Sequence, residues 1–411
     1  MHTFTLPNGM RVIHKSSPTN VAYCGIAIDA GSRDEKKSEQ GIAHFCEHAL
    51  FKGTTHRQAR HIINRMEAVG GDLNAYTTKE ETVVYAAFMK EHLDRAVELI
   101  YDVVFHSTYP QKELDKEAEV IVEEIESYLD SPADLIFDEF ENLLFENHPL
   151  GHDILGERDQ IRTYTSEHLL KFTKRLYQPK NTIFFFFGDY TLDQIKKALS
   201  KVVDTKLLSS DYKKTRKKKI TQTTPLPASF HRIIPKEVHQ AHVMMGCRAY
   251  PADSDKRVAL YFLNNIIGGP GMNSLLNVAL REKRGLVYTV ESNLTNYTDT
   301  ATFSIYFGCD ANDVEKCVRI VKKELEALAT TCMSEKKFNA ALKQIKGQIG
   351  VACDNFENYA LDMAKSFLHY HKFEGVEETF AQLDALNPEI LQQVAQELFS
   401  DLSILIYQPI S

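Results

Sequence analysis

Hydrophobic residues along this chain follow two periods, an alternation typical of strands and a three-to-four-residue spacing typical of helices. Asp72 to Thr77 and Thr82 to Met89 lie on either side of the polar tetrapeptide Thr78 to Glu81, which predicts an antiparallel hairpin. The apolar run Ile183 to Phe187 predicts a buried strand and is too short to cross a bilayer. Strands followed by several helices favour an α+β fold over a doubly wound parallel sheet.

The same order of elements occurs twice along the chain, although the two copies differ in most residues. In each copy a strand near the start is followed, much later, by an amphipathic helix that leads into an apolar strand. These segments are Val21 to Ile28, Ser166 to Tyr177 and Ile183 to Phe187 in the first copy, and Ala241 to Tyr250, Pro388 to Phe399 and Ile404 to Tyr407 in the second. We therefore predict two duplicated α+β domains, each an antiparallel-rich sheet with helices packed on one face.

A change in composition near the middle of the chain separates the two copies. A basic run from Lys213 to Lys219 is followed by Pro225 and Pro227. Like charges in a row repel one another and favour solvent, so this stretch predicts a linker, with an anionic docking patch as the alternative. We predict an N-terminal domain at 1–208, the linker at 209–226 and a C-terminal domain at 227–411.

Composition and charge narrow the class of protein. The chain has 411 residues and a formal net charge of -8, which argues against a nucleic-acid-binding protein. Its first residues show no signal-peptide pattern, and no apolar run is long enough for a membrane span. The seven cysteines form no C-x-x-C pair, which is typical of reduced thiols. We therefore expect a cytoplasmic protein that binds neither nucleic acid nor membranes.

Candidate catalytic residues lie in the segment HFCEH at residues 44–48. We predict that this segment belongs to a helix with Ser38 as its N-cap and Gly53 at its end. Positions 44, 47 and 48 share one helix face, because residues three and four apart are neighbours. Imidazoles at positions 44 and 48 can ligate one zinc ion, which leaves Glu47 free to take a proton from bound water. Zinc lowers the pKa of such a water to about 7, so the spacing suits hydrolysis.

A third ligand is needed to separate this interpretation from coincidence, because catalytic zinc has three protein ligands and one open position. With 16 histidines, an H-x-x-E-H match arises by chance in roughly one such chain in twenty. The helix predicted over Pro110 to Leu129 carries Glu117 and Glu124 on an otherwise apolar stripe, where carboxylates need a cation. Periodicity alone does not choose Glu124 over Glu123.

The full length of the chain resembles the pitrilysin family of inverted-motif zinc peptidases, which includes insulin-degrading enzyme and mitochondrial processing peptidase. In that family the third ligand is a glutamate 76 residues after the second histidine, and another glutamate lies seven residues before it. Counted from His48, these positions are Glu124 and Glu117. The resemblance implies metal ligation by His44, His48 and Glu124, with Glu47 as general base and Glu117 supporting the ligands.

Two further stretches resemble family elements that bind substrate. Residues 70–77 look like an edge strand on which a peptide lies as an added strand, so Asn74 and Ala75 are expected to contact substrate. Arg281 and Tyr288 match an R-x6-Y element whose side chains reach the substrate and the scissile carbonyl. The loop before this element departs from the family's G-x-S-S-R-L pattern, because it lacks the arginine.

The cysteine inside the motif has two interpretations. Insulin-degrading enzyme carries the same HFCEH string, so Cys46 is either a site of thiol sensitivity or a buried inert thiol. By helical geometry it points away from the ligand face, which excludes it as a nucleophile.

Taken together, the resemblance implies a zinc endopeptidase with one Zn2+ per chain, acting on peptides or unfolded polypeptide segments. The second half has no H-x-x-E-H motif and is expected to supply substrate contacts. Family chains of this length pair around an internal chamber. This implies a homodimer, or a heterodimer with a related chain, in which Arg281 and Tyr288 serve the zinc of the other subunit. The alternative class is a non-catalytic scaffold or a partner-dependent subunit of a two-chain peptidase.

Overall fold

The computed structural model describes residues 1–204 and 228–410, which form two compact units. The first unit contains residues 1–127, 152–204 and 353–373, and the second contains residues 128–151, 228–352 and 374–410. Each unit is built on one sheet with packed helices, which confirms the α+β prediction, but the helices cover both faces of each sheet and not one face as predicted. The predicted linker at 209–226 lies outside the described residues.

Residues 1–204 contain strands β1 to β6 and helices α1 to α8. The strands are β1 (His2–Thr5), β2 (Arg11–Ser16), β3 (Val21–Ile28), β4 (Asp72–Thr77), β5 (Thr82–Met89) and β6 (Thr182–Gly188). The helices are α1 (Ile42–Ala49), α2 (Ala59–Glu67), α3 (Leu93–Phe105), α4 (Gln111–Leu129), α5 (Pro132–Leu144), α6 (Arg158–Ile161), α7 (Ser166–Leu176) and α8 (Leu192–Val202).

Residues 228–410 contain the remaining elements. The strands are β7 (His231–Lys236), β8 (Ala241–Ala249), β9 (Val287–Asn296), β10 (Ala301–Cys309) and β11 (Ser403–Pro409). The helices are α9 (Arg257–Gly268), α10 (Val314–Thr330), α11 (Glu335–Ala352), α12 (Phe356–Tyr370), α13 (Val376–Asp384) and α14 (Pro388–Leu398). Across both described stretches, no helix combines the length and apolar content needed to cross a membrane.

Apart from the additional edge strand β1 in the first, the two sheets share one strand order, which confirms the predicted duplication. The first runs β1-β2-β6-β3-β5-β4 and the second runs β7-β11-β8-β10-β9. Neighbouring strands are antiparallel except for β2 with β6 and β7 with β11, which are parallel. The predicted hairpin is formed by β4 and β5, with Asn74 opposite Tyr85. This order leaves β4 and β9 at corresponding edges of the two sheets.

Residues 183–187 of strand β6 are all apolar because both faces of the first sheet are covered. Phe184 and Phe186 lie in the main core with most of the helices of this unit. Ile183, Phe185 and Phe187 lie in a second core on the opposite face, with residues of α12. A strand buried on both faces has a continuous apolar sequence, as the run 183–187 predicts.

Helices α12 and α5 each pack on a sheet whose strands come from the other half of the sequence. Helix α12 packs Met363 and Phe367 on the first sheet, and α5 packs Ile136 and Phe140 against β8 and β11 of the second. The compact units therefore depart from the continuous ranges 1–208 and 227–411 at these helices. An amphipathic helix docks where its apolar face is buried, whatever its place in the chain order.

Helix α1, which carries the histidine motif, begins later than predicted. Its N-cap is Gly41, at φ 81°, and Ser38 lies in a turn before the helix, so the predicted cap at Ser38 is wrong. Gly41 has no side chain to bind the free N–H groups of the first turn. The carboxylate of Glu35 binds them instead, accepting hydrogen bonds from the backbone N of Gly41 at 3.0 Å and of Ala43 at 2.8 Å.

Glu35 is a buried acidic cap whose ionisation is opposed by its surroundings. Its Oε2 atom is also 3.1 Å from Nε2 of His152. A negative charge at a helix N-terminus is stabilised by the helix dipole, yet burial raises the pKa of Glu35 to about 7. At its other end, α1 continues into a 3-10 turn at Leu50–Lys52 that ends at Gly53, as predicted.

Met363→Ala should lower the free energy of unfolding by about 2–5 kcal/mol, because it removes a fully buried side chain from the core between α12 and the first sheet. The matched control is Val351→Ala at a position that is 77% exposed, which should change this free energy by less than about 0.5 kcal/mol. Urea unfolding followed by circular dichroism measures both variants. Equal effects would show that α12 does not pack on this sheet.

The stability of the protein should depend on pH through Glu35. Because burial raises its pKa in the folded state, the folded protein binds this proton more tightly than the unfolded chain does. The stabilisation is complete below the ordinary pKa of 4.5 and is lost as the pH rises from there through the folded-state pKa of about 7. With a chelator present, the melting temperature of wild type minus that of Glu35→Gln should fall over this interval and then level off. A difference that does not change with pH would contradict this account.

Candidate metal centre

Two helices of the first unit bring three potential metal ligands together. His44 and His48 lie one turn apart on α1, with ring centroids separated by 4.5 Å. Oε2 of Glu124, on α4, is 3.8 Å from Nε2 of His44 and 3.5 Å from Nε2 of His48. The ligand atoms of these three residues all lie within 4.8 Å of one another. The structure thus groups Glu124 with the histidines, and Glu123 is not in the group.

These separations suit a metal ion better than direct bonding between the side chains. Distances of 3.5 and 3.8 Å are too long for a good hydrogen bond. Ligands of a tetrahedral zinc ion, each about 2.0 Å from the metal, lie roughly 3.3 Å apart. Nδ1 of the buried His44 has no hydrogen-bond partner among the described residues. Two imidazoles and one carboxylate are a donor set that zinc prefers, so the three residues fit one zinc ion.

The two imidazoles are prepared for ligation in different ways. Burial, together with the neighbouring His48, lowers the pKa of His44 to about 3 and keeps that ring neutral. Nδ1 of His48 donates to Oε1 of Glu117 at 2.9 Å, which leaves Nε2 facing Glu124. Although burial opposes it, this bond raises the pKa of His48, so a metal ion competes with a proton at Nε2. Glu117 therefore orients a ligand, and its other oxygen binds Nζ of Lys52 at 2.6 Å.

Glu47 lies on the same helix face as the two histidines and is buried. Burial raises the pKa of its carboxyl group above the usual range. Thr77, at the end of edge strand β4, lies close to this carboxyl group and partly offsets the effect of burial on its pKa. A carboxylate held beside a metal site with its pKa shifted toward neutrality is suited to take a proton from water.

Cys46 is fully buried, with Sγ 4.0 Å from the carbonyl oxygen of Leu169. Burial raises the pKa of this thiol well above its ordinary value. A thiol in that environment forms little thiolate and reacts slowly with alkylating reagents. The structure therefore favours the inert thiol over thiol sensitivity at this position.

The remaining predicted residues lie at the edges of the two sheets. On β4, Asn74 is exposed and Ala75 is partly buried against the main core. In the second unit, Arg281 lies in a short helical segment, and its guanidinium carbon is 5.5 Å from the ring centroid of Tyr288. Tyr288 lies on β9 and is 83% exposed. The helix after β8, α9, contains no histidine or carboxylate, so it does not repeat the ligand set of α1.

Three side chains that surround the potential ligands and Glu47 were missed by the sequence analysis. Lys52 lies four residues after His48, and this helical spacing signals that both face one partner. Glu35 and Thr77 reach α1 through contacts between distant parts of the fold. A linear pattern carries no signal for such contacts.

Two models of one protein family match consecutive parts of this chain. Residues 11–158 match the family model described as Insulinase (Peptidase family M16), and residues 163–345 match the Peptidase M16 inactive domain. The uncharacterized zinc protease YmxG of Bacillus subtilis is 30% identical, over 97% of this chain and 95% of its own length. An uncharacterized zinc protease of Rickettsia bellii is 30% identical, over 96% of this chain and 94% of its own length.

Solved structures show the same fold. A protease from Helicobacter pylori aligns with a TM-score of 0.89 at 23% identity, covering 99% of each chain. A peptidase M16 inactive domain from Pseudomonas fluorescens aligns with a TM-score of 0.90 at 20% identity, covering 100% of this chain and 98% of its own. The predicted resemblance to the pitrilysin family is thereby confirmed, and the chain belongs to peptidase family M16.

Proposed function

We propose that this protein is a zinc-dependent endopeptidase that hydrolyses peptides or unfolded polypeptide segments. The proposal is carried by one observation: two imidazole nitrogens and one carboxylate oxygen converge beside the buried carboxylate of Glu47. The relatives named zinc proteases support the choice of metal and of reaction. One zinc ion per chain, held by His44, His48 and Glu124, would supply Lewis-acid activation of a water molecule and of the scissile carbonyl.

The side chains around this centre have separate roles in the proposed reaction. Glu47 takes a proton from the attacking water and returns it to the leaving amine. Glu117 fixes the ring of His48 through Nδ1, so that Nε2 keeps its direction during the reaction. Lys52 offsets the negative charge of Glu117, which limits the excess of carboxylate charge near the substrate.

Substrate binding is proposed at the open edge of the first sheet. β4 pairs with β5 on one side, and no described strand pairs with its other side. A peptide backbone can therefore add there as a further strand, beside Asn74 and Ala75. Thr77, at the end of the same strand, lies close to Glu47, so a peptide that follows β4 leads to the proposed base. Main-chain recognition requires an extended substrate and sets little side-chain preference.

We infer that Arg281 and Tyr288 act on the zinc site of another subunit. The ring of Tyr288 is 83% exposed and lies beside the guanidinium of Arg281, so both donors are open to a ligand. A phenol and a guanidinium can stabilise the developing oxyanion and hold substrate carbonyls. In the proposed homodimer the two copies enclose a chamber, and a heterodimer with a related chain is the alternative arrangement.

Glu47→Gln should lower kcat/KM for a quenched peptide by about a hundredfold to ten-thousandfold, because it removes the general base. Zinc content after dialysis should stay near that of wild type in elemental analysis, since Glu47 is not a ligand. Glu124→Gln should lose both zinc and activity, whereas its exposed neighbour Glu123→Gln should keep both and is the matched control. Wild-type protein that holds no zinc and cleaves no peptide would instead support a non-catalytic scaffold, and cleavage unaffected by a chelator would contradict the dependence on zinc.

Mixed dimers test whether the second half-site comes from another subunit. Chains with Glu47→Gln and chains with Tyr288→Phe are each expected to be inactive alone. Co-expressed, they should recover roughly a quarter of wild-type activity, because random pairing leaves one complete site in half of the dimers. Glu47→Gln co-expressed with Glu124→Gln is the control and should recover nothing, since both changes lie in the same half-site. Recovery in neither mixture would contradict action between subunits.

A further inference from the structure

The first unit contains a second group of potential metal ligands, formed by His56, Asp102 and His106. Asp102 and His106 lie one turn apart at the end of α3, and His56 lies beyond the 3-10 turn at Leu50–Lys52. None of the three belongs to the histidine motif or touches its ligands in the contacts described above. The group therefore needs an explanation of its own.

One ring nitrogen from each of the two histidines approaches the same carboxylate oxygen. Oδ1 of Asp102 is 2.6 Å from Nδ1 of His56 and 3.2 Å from Nδ1 of His106. The two rings meet edge to face, with centroids 4.9 Å apart. Without an ion, both imidazoles must carry a proton on Nδ1 to donate to this one oxygen. A divalent cation bound by Oδ1 and both Nδ1 atoms takes the place of these two hydrogen bonds, and each neutral ring then carries its proton on Nε2. The 2.6 Å pair must open toward the roughly 3.3 Å that separates two ligands of one ion.

The surrounding contacts hold the carboxylate of Asp102 in place. Its Oδ2 atom accepts hydrogen bonds from Oγ1 of Thr54 at 2.9 Å and from the guanidinium of Arg57 at 2.6 Å. Bonds of this kind to the free oxygen are typical of carboxylates that ligate metals. Arg57 also pairs with Glu98, which offsets the positive charge that would otherwise oppose a cation.

The group is open to solvent on its histidine side. The side chains of His56 and His106 are 58% and 33% exposed, whereas that of Asp102 is 4% exposed. An ion can therefore enter from water and keep water molecules in its remaining positions. Imidazole with carboxylate suits Zn2+, Co2+ or Ni2+, while Ca2+ and Mg2+ prefer oxygen ligands alone.

We propose that His56, Asp102 and His106 form a second site for a divalent transition-metal ion, independent of the hydrolytic centre. The ion joins the segment after α1 to the end of α3, which already meet through an isolated bridge between Thr54 and Ser107. It binds more weakly than an ion at the first site, because it must break the two hydrogen bonds between Asp102 and the histidines and lies near Arg57. Binding to the folded arrangement alone stabilises the protein in proportion to the free metal concentration.

Equilibrium dialysis of the full chain against buffered Zn2+, with elemental analysis, tests the site without any measurement of peptide cleavage. Wild type should bind a tight first equivalent and a weaker second one. His56→Ala and His106→Ala should each weaken the second equivalent by about tenfold or more and leave the first unchanged. His61→Ala removes another exposed histidine, on α2, and should bind as wild type does. Asp102 is left intact because its buried carboxylate holds several neighbours.

A second variant set separates this site from the first. Protein with both His44→Ala and His48→Ala should still gain melting temperature when Zn2+ is added, and adding His56→Ala to that protein should abolish the gain. The proposal is overturned if wild type binds no second equivalent, or if His56→Ala and His106→Ala bind Zn2+ as His61→Ala does. Neither outcome bears on the proposed peptidase activity.

Discussion

The contact between α1 and α4 is the constraint on which the metal centre depends. Glu117 of α4 binds His48 through one oxygen and Lys52 through the other, so both partners at the end of α1 are tied to one carboxylate. Because Glu117 is buried, losing either partner leaves its charge poorly compensated, which favours this orientation of the two helices. Glu124 lies about two turns further along α4 and thereby comes within reach of both Nε2 atoms.

The duplicated fold supports different chemistry in its two copies. The sheets share strand order and the same parallel pair, and in each an apolar strand is covered on both faces. Yet α1 carries two potential metal ligands where α9 has no histidine or carboxylate, and the edge strand β9 exposes Tyr288 where β4 exposes Asn74. The scaffold fixes where an edge or a helix face lies, and individual side chains decide what it does.

Much of the fold was predictable because its signals are local. The hairpin and the strand around Phe185 follow from periodicity, whereas the docking of α5 and α12 does not, because periodicity shows which face is buried and not which sheet buries it. The predicted start of α1 was wrong for a similar reason. Ser38 fits a local rule for N-caps, whereas in the structure the side chain of Glu35 accepts the hydrogen bonds of the first turn. Glu124 and Glu123 both lie near the same stripe of α4. Choosing between them required the spacing between the second histidine and the third ligand that is typical of the family.

The central claim is that two helices hold one zinc ion through His44, His48 and Glu124. X-ray diffraction from crystals of the wild-type protein, measured at the zinc absorption edge, tests it most directly. The account predicts that the strongest anomalous peak lies about 2.0–2.2 Å from Nε2 of each histidine and from Oε2 of Glu124. A strongest peak elsewhere, or one bound by Glu117 or Glu123 in place of Glu124, would contradict it.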